Sequence, residues 1–321
     1  MIPKPSKESM KWILAIALLL GMGVFLFQSK ETLDRLANLT FQQAFLLFLT
    51  TLASFLFLAY QFRITMQFPG LKLTPTEWFG LSMCNAMYNQ FLPARSGIWM
   101  RAYYLKEKYH FSYTHYVSLM LSSFFLMFVS AGILGMATVI LAMWHLNRDL
   151  WFFFSLFPGL ILLSSLIWFA INKLVYSSRQ VKFQKARDFL GNFHAGLAFF
   201  KDKPFLIMEY IVTAKCSIIC NGLAYALSLY SLGENDISIL VVIAVMALTS
   251  FSSLVALTPG NIGVREMIMG FTCHQLGVSL ETALLAAYIV RAVTVVCVFF
   301  LGVLYSKILF QNLSIPSRTP A

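Results

Sequence analysis

The sequence predicts an all-α, polytopic integral membrane protein, and three observations predict it. Of its 321 residues, 59% are hydrophobic and only 12% charged, and mean hydropathy is +0.75; a water-soluble core cannot hide that share of apolar side chains. The apolar residues come in long unbroken runs of roughly the 20 residues that cross a bilayer, not in the short alternating stretches of a membrane barrel. In lipid every backbone polar group must be paired internally, so such runs are helices.

Taken in order, residues 1–11 carry Lys4, Lys7 and Lys11 ahead of an apolar run at 12–28. The run resembles a signal peptide but closes on Phe27-Gln28-Ser29-Lys30 without a small-x-small cleavage site, so a retained first span is expected. Further long runs lie at 41–62, 116–143, 150–171, 205–232, 237–258 and 282–309. Two stretches, 78–101 and 255–277, break the pattern. Each has a proline, a glycine four residues later and then an arginine: Pro93, Gly97 and Arg101 in the first, Pro259, Gly263 and Arg265 in the second, where Gly260 also intervenes. Proline removes a backbone donor and glycine admits conformations closed to other residues, so each cluster should break a helix. Broken backbone at membrane depth is tolerated where it is buried in protein or lines a wet cavity.

The distribution of Lys and Arg orients the chain. With the N-terminus in the cytoplasm and 78–92 dipping in and returning, Arg63, Lys72, Arg95, Arg101, Lys106 and Lys108 stay on the cytoplasmic side. So do the basic linker 172–204, Lys307 and Arg318, while outer loops keep Lys30, Arg35 and Arg148. The second broken segment must then enter and leave from the outside, so that 282–309 runs inward to a cytoplasmic C-terminus. The expected architecture is a single domain, 1–321, with about six full spans plus two re-entrant or broken hairpins inserted from opposite faces. Inverted pairs of this kind place transporter binding sites near the midplane.

The formal net charge of +11 on a membrane protein reflects positive-inside loops rather than nucleic-acid binding. The linker, with Phe183, Phe189, Phe193 and Phe199 among its basic residues, reads either as a solvated loop or as an interfacial helix on anionic lipid. The five cysteines lie within or beside apolar runs, which argues against a disulfide framework. No His or carboxylate completes a metal set around Cys216 and Cys220, so no metal is expected. No Gly-rich phosphate loop is present, and neither ATP hydrolysis nor a cofactor is expected.

Charges at membrane depth cost at least about 2.5–3.5 kcal/mol at a helix centre and normally face a cavity or a partner. Arg291 is deep in the last run, with Tyr288 and Thr294 three positions either side and therefore on the same face. Lys215 is similarly deep, while Glu209 is near enough to its helix start to snorkel. Ser82, Asn85 and Asn89 form a polar stripe leading to Pro93 and Arg95; Thr249, Ser252 and Ser253 lead to Pro259, then Arg265 and Glu266. Arg95, Arg101, Arg265 and Arg291 outnumber the nearby acids Glu266 and Glu281. An arginine excess suits an anion, and guanidinium geometry matches phosphate, although structural ion pairs among Arg265, Glu266 and Arg291 are an open alternative.

These residues carry a family resemblance. Asn89-Gln90-Phe91-Leu92-Pro93-Ala94-Arg95-Ser96-Gly97, running on to Arg101, resembles the N-x-x-L-P-x-R-x-G-x-x-x-R block of the flippase-like transmembrane domain of bacterial lysylphosphatidylglycerol synthases and their stand-alone relatives. Pro259-Gly260-Asn261-Ile262-Gly263-Val264-Arg265-Glu266 resembles its P-G-G-x-G-x-R-E block, and Arg291 after Tyr288 matches the basic residue of the following span. Ala94 and Asn261 replace residues that are often glycine there. The resemblance covers nearly the whole chain. It implies a multi-pass protein of the bacterial cytoplasmic membrane that translocates a phospholipid, an aminoacylated one included, or a polyprenyl-phosphate-linked sugar.

The synthases carry a soluble catalytic domain after the membrane part, whereas this chain stops at Ala321, so a stand-alone member without synthase activity is expected. The competing readings are a membrane enzyme on lipid-linked substrates, with Glu31 and Asp34 as its best carboxylates, and a non-transporting subunit of envelope assembly. The expected partner is a membrane lipid. The sequence leaves monomer and homo-oligomer open.

Overall fold

The computed structural model describes residues 40–92, 95–146, 150–177, 203–254 and 258–311. The first apolar run, Glu31, Asp34, Pro93 and most of the basic linker lie outside the described residues. Within them the chain forms nine α-helices and no strand: α1 (Phe41–Gln67), α2 (Pro75–Phe91), α3 (Ser96–Tyr109), α4 (Tyr113–Leu146), α5 (Trp151–Ser177), α6 (Pro204–Ser231), α7 (Ile239–Ser250), α8 (Val264–Gln275) and α9 (Leu280–Phe310). By length and composition α1, α4, α6 and α9 can each cross a membrane. The protein is a polytopic helical membrane protein.

Three of the other helices are too short to cross a membrane. At 1.5 Å per residue, 12-residue α7 and α8 reach about 18 Å and 14-residue α3 about 21 Å, short of a hydrocarbon core of about 30 Å. The run at 237–258 is therefore not the continuous helix its hydropathy suggests. Thr249 and Ser250 turn their hydroxyls back to the carbonyls of Val245 and Met246, offering the backbone an alternative to continued helix. The chain tightens into a 3-10 turn, Phe251–Leu254. The second hairpin is thus 239–275, with α7 as its first limb, rather than 255–277. Because α7 is apolar on every side, it is buried all round, from Val241 through Ala247.

The two hairpins enter from opposite ends. Helices α1 and α6 run antiparallel, with Tyr60 donating to Glu209 at 2.7 Å and Ser217 donating to the Ser54 carbonyl at 3.2 Å. Glu209 is thereby held by Tyr60 and does not reach out alone. The α2–α3 hairpin follows the end of α1, and α7–α8 follows the end of α6, at the other end of that pair. Packing is exchanged in the same sense: α2 lies on α1 and α9, α7 on α6 and α4. This is the relation expected of an inverted repeat in which α1–α4 corresponds to α6–α9. Outside this unit, α5 packs on α4, where Gly132 and Gly135 leave room for Ile161 and Phe157.

A cationic cavity where the hairpin tips meet

The first hairpin is fastened at its open end by Glu77, in the first turn of α2. Its carboxylate accepts from Thr74 N–H (2.8 Å), Tyr104 (3.0 Å) and Tyr109 (2.8 Å) and pairs with Lys108 (2.7 Å). The last three come from the far end of α3, so both limbs begin and finish at one level. At the tip, Asn89 accepts from Gly97 N–H at 2.9 Å and the Ser96 hydroxyl donates to the Tyr88 carbonyl at 3.0 Å. The Asn89 side-chain oxygen thus serves one of the orphan donors that open α3, and the Ser96 hydroxyl serves a carbonyl near the end of α2. Glycine at 97 is a packing requirement, since a Cβ there would sit 2.2 Å from the Asn85 carbonyl oxygen.

The second break depends on backbone that favours glycine. Gly260, Asn261 and Gly263 all have positive φ, 61°, 53° and 86°. Pro259 opens a 3-10 turn through Asn261, and the Asn261 side chain holds the Ser252 carbonyl at 3.0 Å. Asparagine is the residue other than glycine that tolerates this region best, which explains how Asn261 stands where the resemblance favours glycine. Glu266 then caps α8 by accepting from Gly263 N–H at 2.8 Å.

The tips touch. Arg291 from α9 joins them, with Nη1 donating to Gln90 at 3.2 Å, Nη2 to the Gly260 carbonyl at 3.0 Å and Nε paired with Glu266 at 2.9 Å. Arg95, at the N-cap of α3 with φ 52°, donates across to the Ser253 carbonyl of the opposite hairpin and lies over the Phe124 ring. Arg101 is buried, with Nε on the Leu81 carbonyl at 3.1 Å and its guanidinium 4.1 Å from the Phe62 ring centroid. Among the described residues Arg265 makes a single long hydrogen bond, 3.5 Å, to Asn221.

These groups border a cavity of about 660 Å³ reached by side chains of α1, α2, α3, α4, α6, α7, α8 and α9. Among the described residues its lining contains Arg95, Arg101, Arg265 and Arg291 and no carboxylate. Of the expected site residues, Asn85, Asn89 and Gly260 also line it. Gly97 and Gly263 shape the turns behind it, and Pro93 lies outside the described residues. Glu266 is 3% exposed and holds Arg291, as the ion-pair alternative has it, rather than lining the cavity. Two expectations change. Tyr288 is not among the lining residues, and its buried hydroxyl has no hydrogen-bond partner among the described residues. Ser82 turns to the Trp78 carbonyl rather than continuing the stripe. The ion-pair alternative is realised for Arg291 with Glu266, and Lys215 does not reach the cavity.

Sequence reading missed Gln61 and Thr65 on α1, Gln90 on α2 and Ser217 and Asn221 on α6, all of which line the cavity. The signal was present as amides and hydroxyls one helical turn apart inside apolar runs, Gln61 with Thr65 and Ser217 with Asn221.

Fold and site together define a helical membrane protein with two opposed hairpins around an arginine-lined intramembrane cavity. The chain matches the family described as lysylphosphatidylglycerol synthase TM region over residues 12–302, and it belongs to that family, which ties it to membrane lipid. Compared singly with curated proteins, it matches none.

Proposed function

We propose that the chain is a flippase-type transporter, without catalytic activity of its own. It moves the phosphate-bearing headgroup of an anionic or zwitterionic phospholipid, or of a lipid-linked phosphate, across the bacterial cytoplasmic membrane, with both termini in the cytoplasm. The observation that supports this reading is a cavity lined, among the described residues, by four arginines and no carboxylate, between hairpins that enter from opposite ends of the α1–α6 pair. In an apolar surround such an excess of positive charge calls for an anion, and the anion available at this depth is a lipid phosphate. Arg265, the least engaged of the four, is the first candidate to grip it, with Arg95 and Arg101 beside the same space. Arg291 holds the tips together. Two hairpins related by inversion give two sides from which the same site can be opened.

The test is headgroup movement in reconstituted vesicles, read by chemical quenching of a labelled phospholipid from outside. Wild-type protein should accelerate movement over protein-free vesicles. Arg265→Ala should lower that rate at least tenfold while thermal unfolding in detergent changes little. No acceleration by wild type overturns the transport reading, and an unchanged rate in the variant removes Arg265 from it.

A further inference from the structure

Outside the cavity, α3 carries a second polar feature. Resting on the transport reading, we infer that its lipid-facing stripe, Trp99, Tyr103 and Lys106, is the track along which a lipid headgroup passes between the bilayer surface at the open end of the first hairpin and the cavity, the acyl chains staying in the bilayer.

Spacings of four and three put these residues on one face of α3, and all three are exposed, Trp99 at 57% and Tyr103 at 37%. The helix is buried through Arg101, Ala102, Tyr104 and Leu105 instead. Arg95, which lines the cavity, stands at the N-cap one turn before Trp99, and Ile98 lines the cavity beside it. At the other end Lys106 lies over the Tyr113 ring of α4, 4.7 Å from its centroid. Lys108, half a turn further on, pairs with Glu77 at the open end of the hairpin. Donors therefore follow one another at about one helical turn from the surface to the cavity, as ammonium, phenol, indole and guanidinium. The acid of α3, Glu107, comes after Lys106 and so does not interrupt them.

Depth separates this stripe from an interfacial belt. Trp and Tyr ordinarily sit at headgroup level, and the exposed Trp144 and Trp151 stand at helix ends. Trp99 is about 15 Å along α3 from Tyr109, its last residue, which is half of a hydrocarbon core of about 30 Å. Exposed residues well inside α1, α5 and α9, such as Leu56, Leu163 and Phe300, carry no hydrogen-bonding atom. Among the described residues the Trp99 indole N–H and the Tyr103 hydroxyl have no hydrogen-bond partner, and an unpaired donor in hydrocarbon is costly. A passing phosphate supplies the missing acceptor at each step. Phe91 and Leu92, exposed at the hairpin tip, give the chains an apolar surface at the deep end.

Vesicles holding the full chain and a phosphatidylethanolamine N-acylated with a diazirine acid are irradiated, and adducts are mapped by peptide mass spectrometry. A matching lipid with the diazirine at the end of an acyl chain reports lipid contact in general. The ratio of headgroup to chain labelling should be at least fivefold higher at Trp99 and Tyr103 than at Leu163 of α5 or Phe300 of α9. Headgroup movement is then read in vesicles without irradiation. Trp99→Phe combined with Tyr103→Phe removes both donors and keeps two exposed rings; it should slow movement at least fivefold. Trp144→Phe, at the far end of α4, should not. A labelling ratio on α3 no higher than on α5 and α9 overturns the inference whatever the double variant does to folding, and so does movement at the wild-type rate by the double variant. If wild-type protein moves no lipid the transport reading fails, and the labelling ratio alone decides whether headgroups enter along α3.

Discussion

The α2–α3 hairpin carries its own fastenings, whereas α7–α8 is held largely by its neighbours. In the first, Glu77 ties the open end and Asn89 and Ser96 tie the tip, all by bonds between its two limbs. In the second, α7 brings no charge, and Gly260 and Glu266 are secured by Arg291 from α9. A polar hairpin can close on itself at membrane depth because its side chains satisfy its own broken backbone. An apolar one needs a buried cation from outside to do the same. The first hairpin is thereby predicted to behave as a rigid body and the second as an element whose stability depends on the last span.

Arg291→Ala should have the largest effect. It leaves the 3%-exposed Glu266 without its cation, and breaking a buried pair from one side costs about 3–5 kcal/mol. Hydrogen exchange should rise across 259–275 and stay low across 75–109; equal loosening of both would break the comparison. Gly97→Ala forces a Cβ against the Asn85 carbonyl oxygen and should cost about 1–3 kcal/mol by overpacking, with exchange now rising in the first hairpin. Glu77→Gln should follow at about 1–2 kcal/mol, because charge-assisted bonds from Tyr104 and Tyr109 become neutral ones. Lys108, with its side chain 47% exposed, contributes the smaller share. Detergent unfolding midpoints would order these two. Tyr288→Phe removes a buried hydroxyl that has no partner among the described residues and should leave stability within about 0.5 kcal/mol or raise it slightly; a large loss would show that the hydroxyl does bond.

Much of the site was legible because its signals are local. A proline, a glycine four residues on and a following arginine marked both breaks. Charge asymmetry required their opposite entry, and the antiparallel α1–α6 pair with its exchanged packing has that form. Less legible was the extent of the second hairpin. Hydropathy sums apolar residues without regard to helix continuity, and 237–258 is apolar both in α7 and in the turn that ends it. The amides Gln90 and Asn221 were passed over because single polar residues in apolar runs are weak signals until a partner is known.

The sequence by itself determined the class of the protein, the two proline–glycine breaks and the surplus of arginine beside them. These follow from hydrophobicity, backbone conformational limits and charge, which each residue carries wherever it is placed. Tertiary structure decided what each arginine does. Arg291 is matched to Gln90, 201 positions away, and to Glu266, so it fastens the tips, while Arg265 is left facing the cavity with one long bond among the described residues. A guanidinium is a clamp or a ligand site according to which acceptors surround it, and that surrounding exists only after the two hairpins have met.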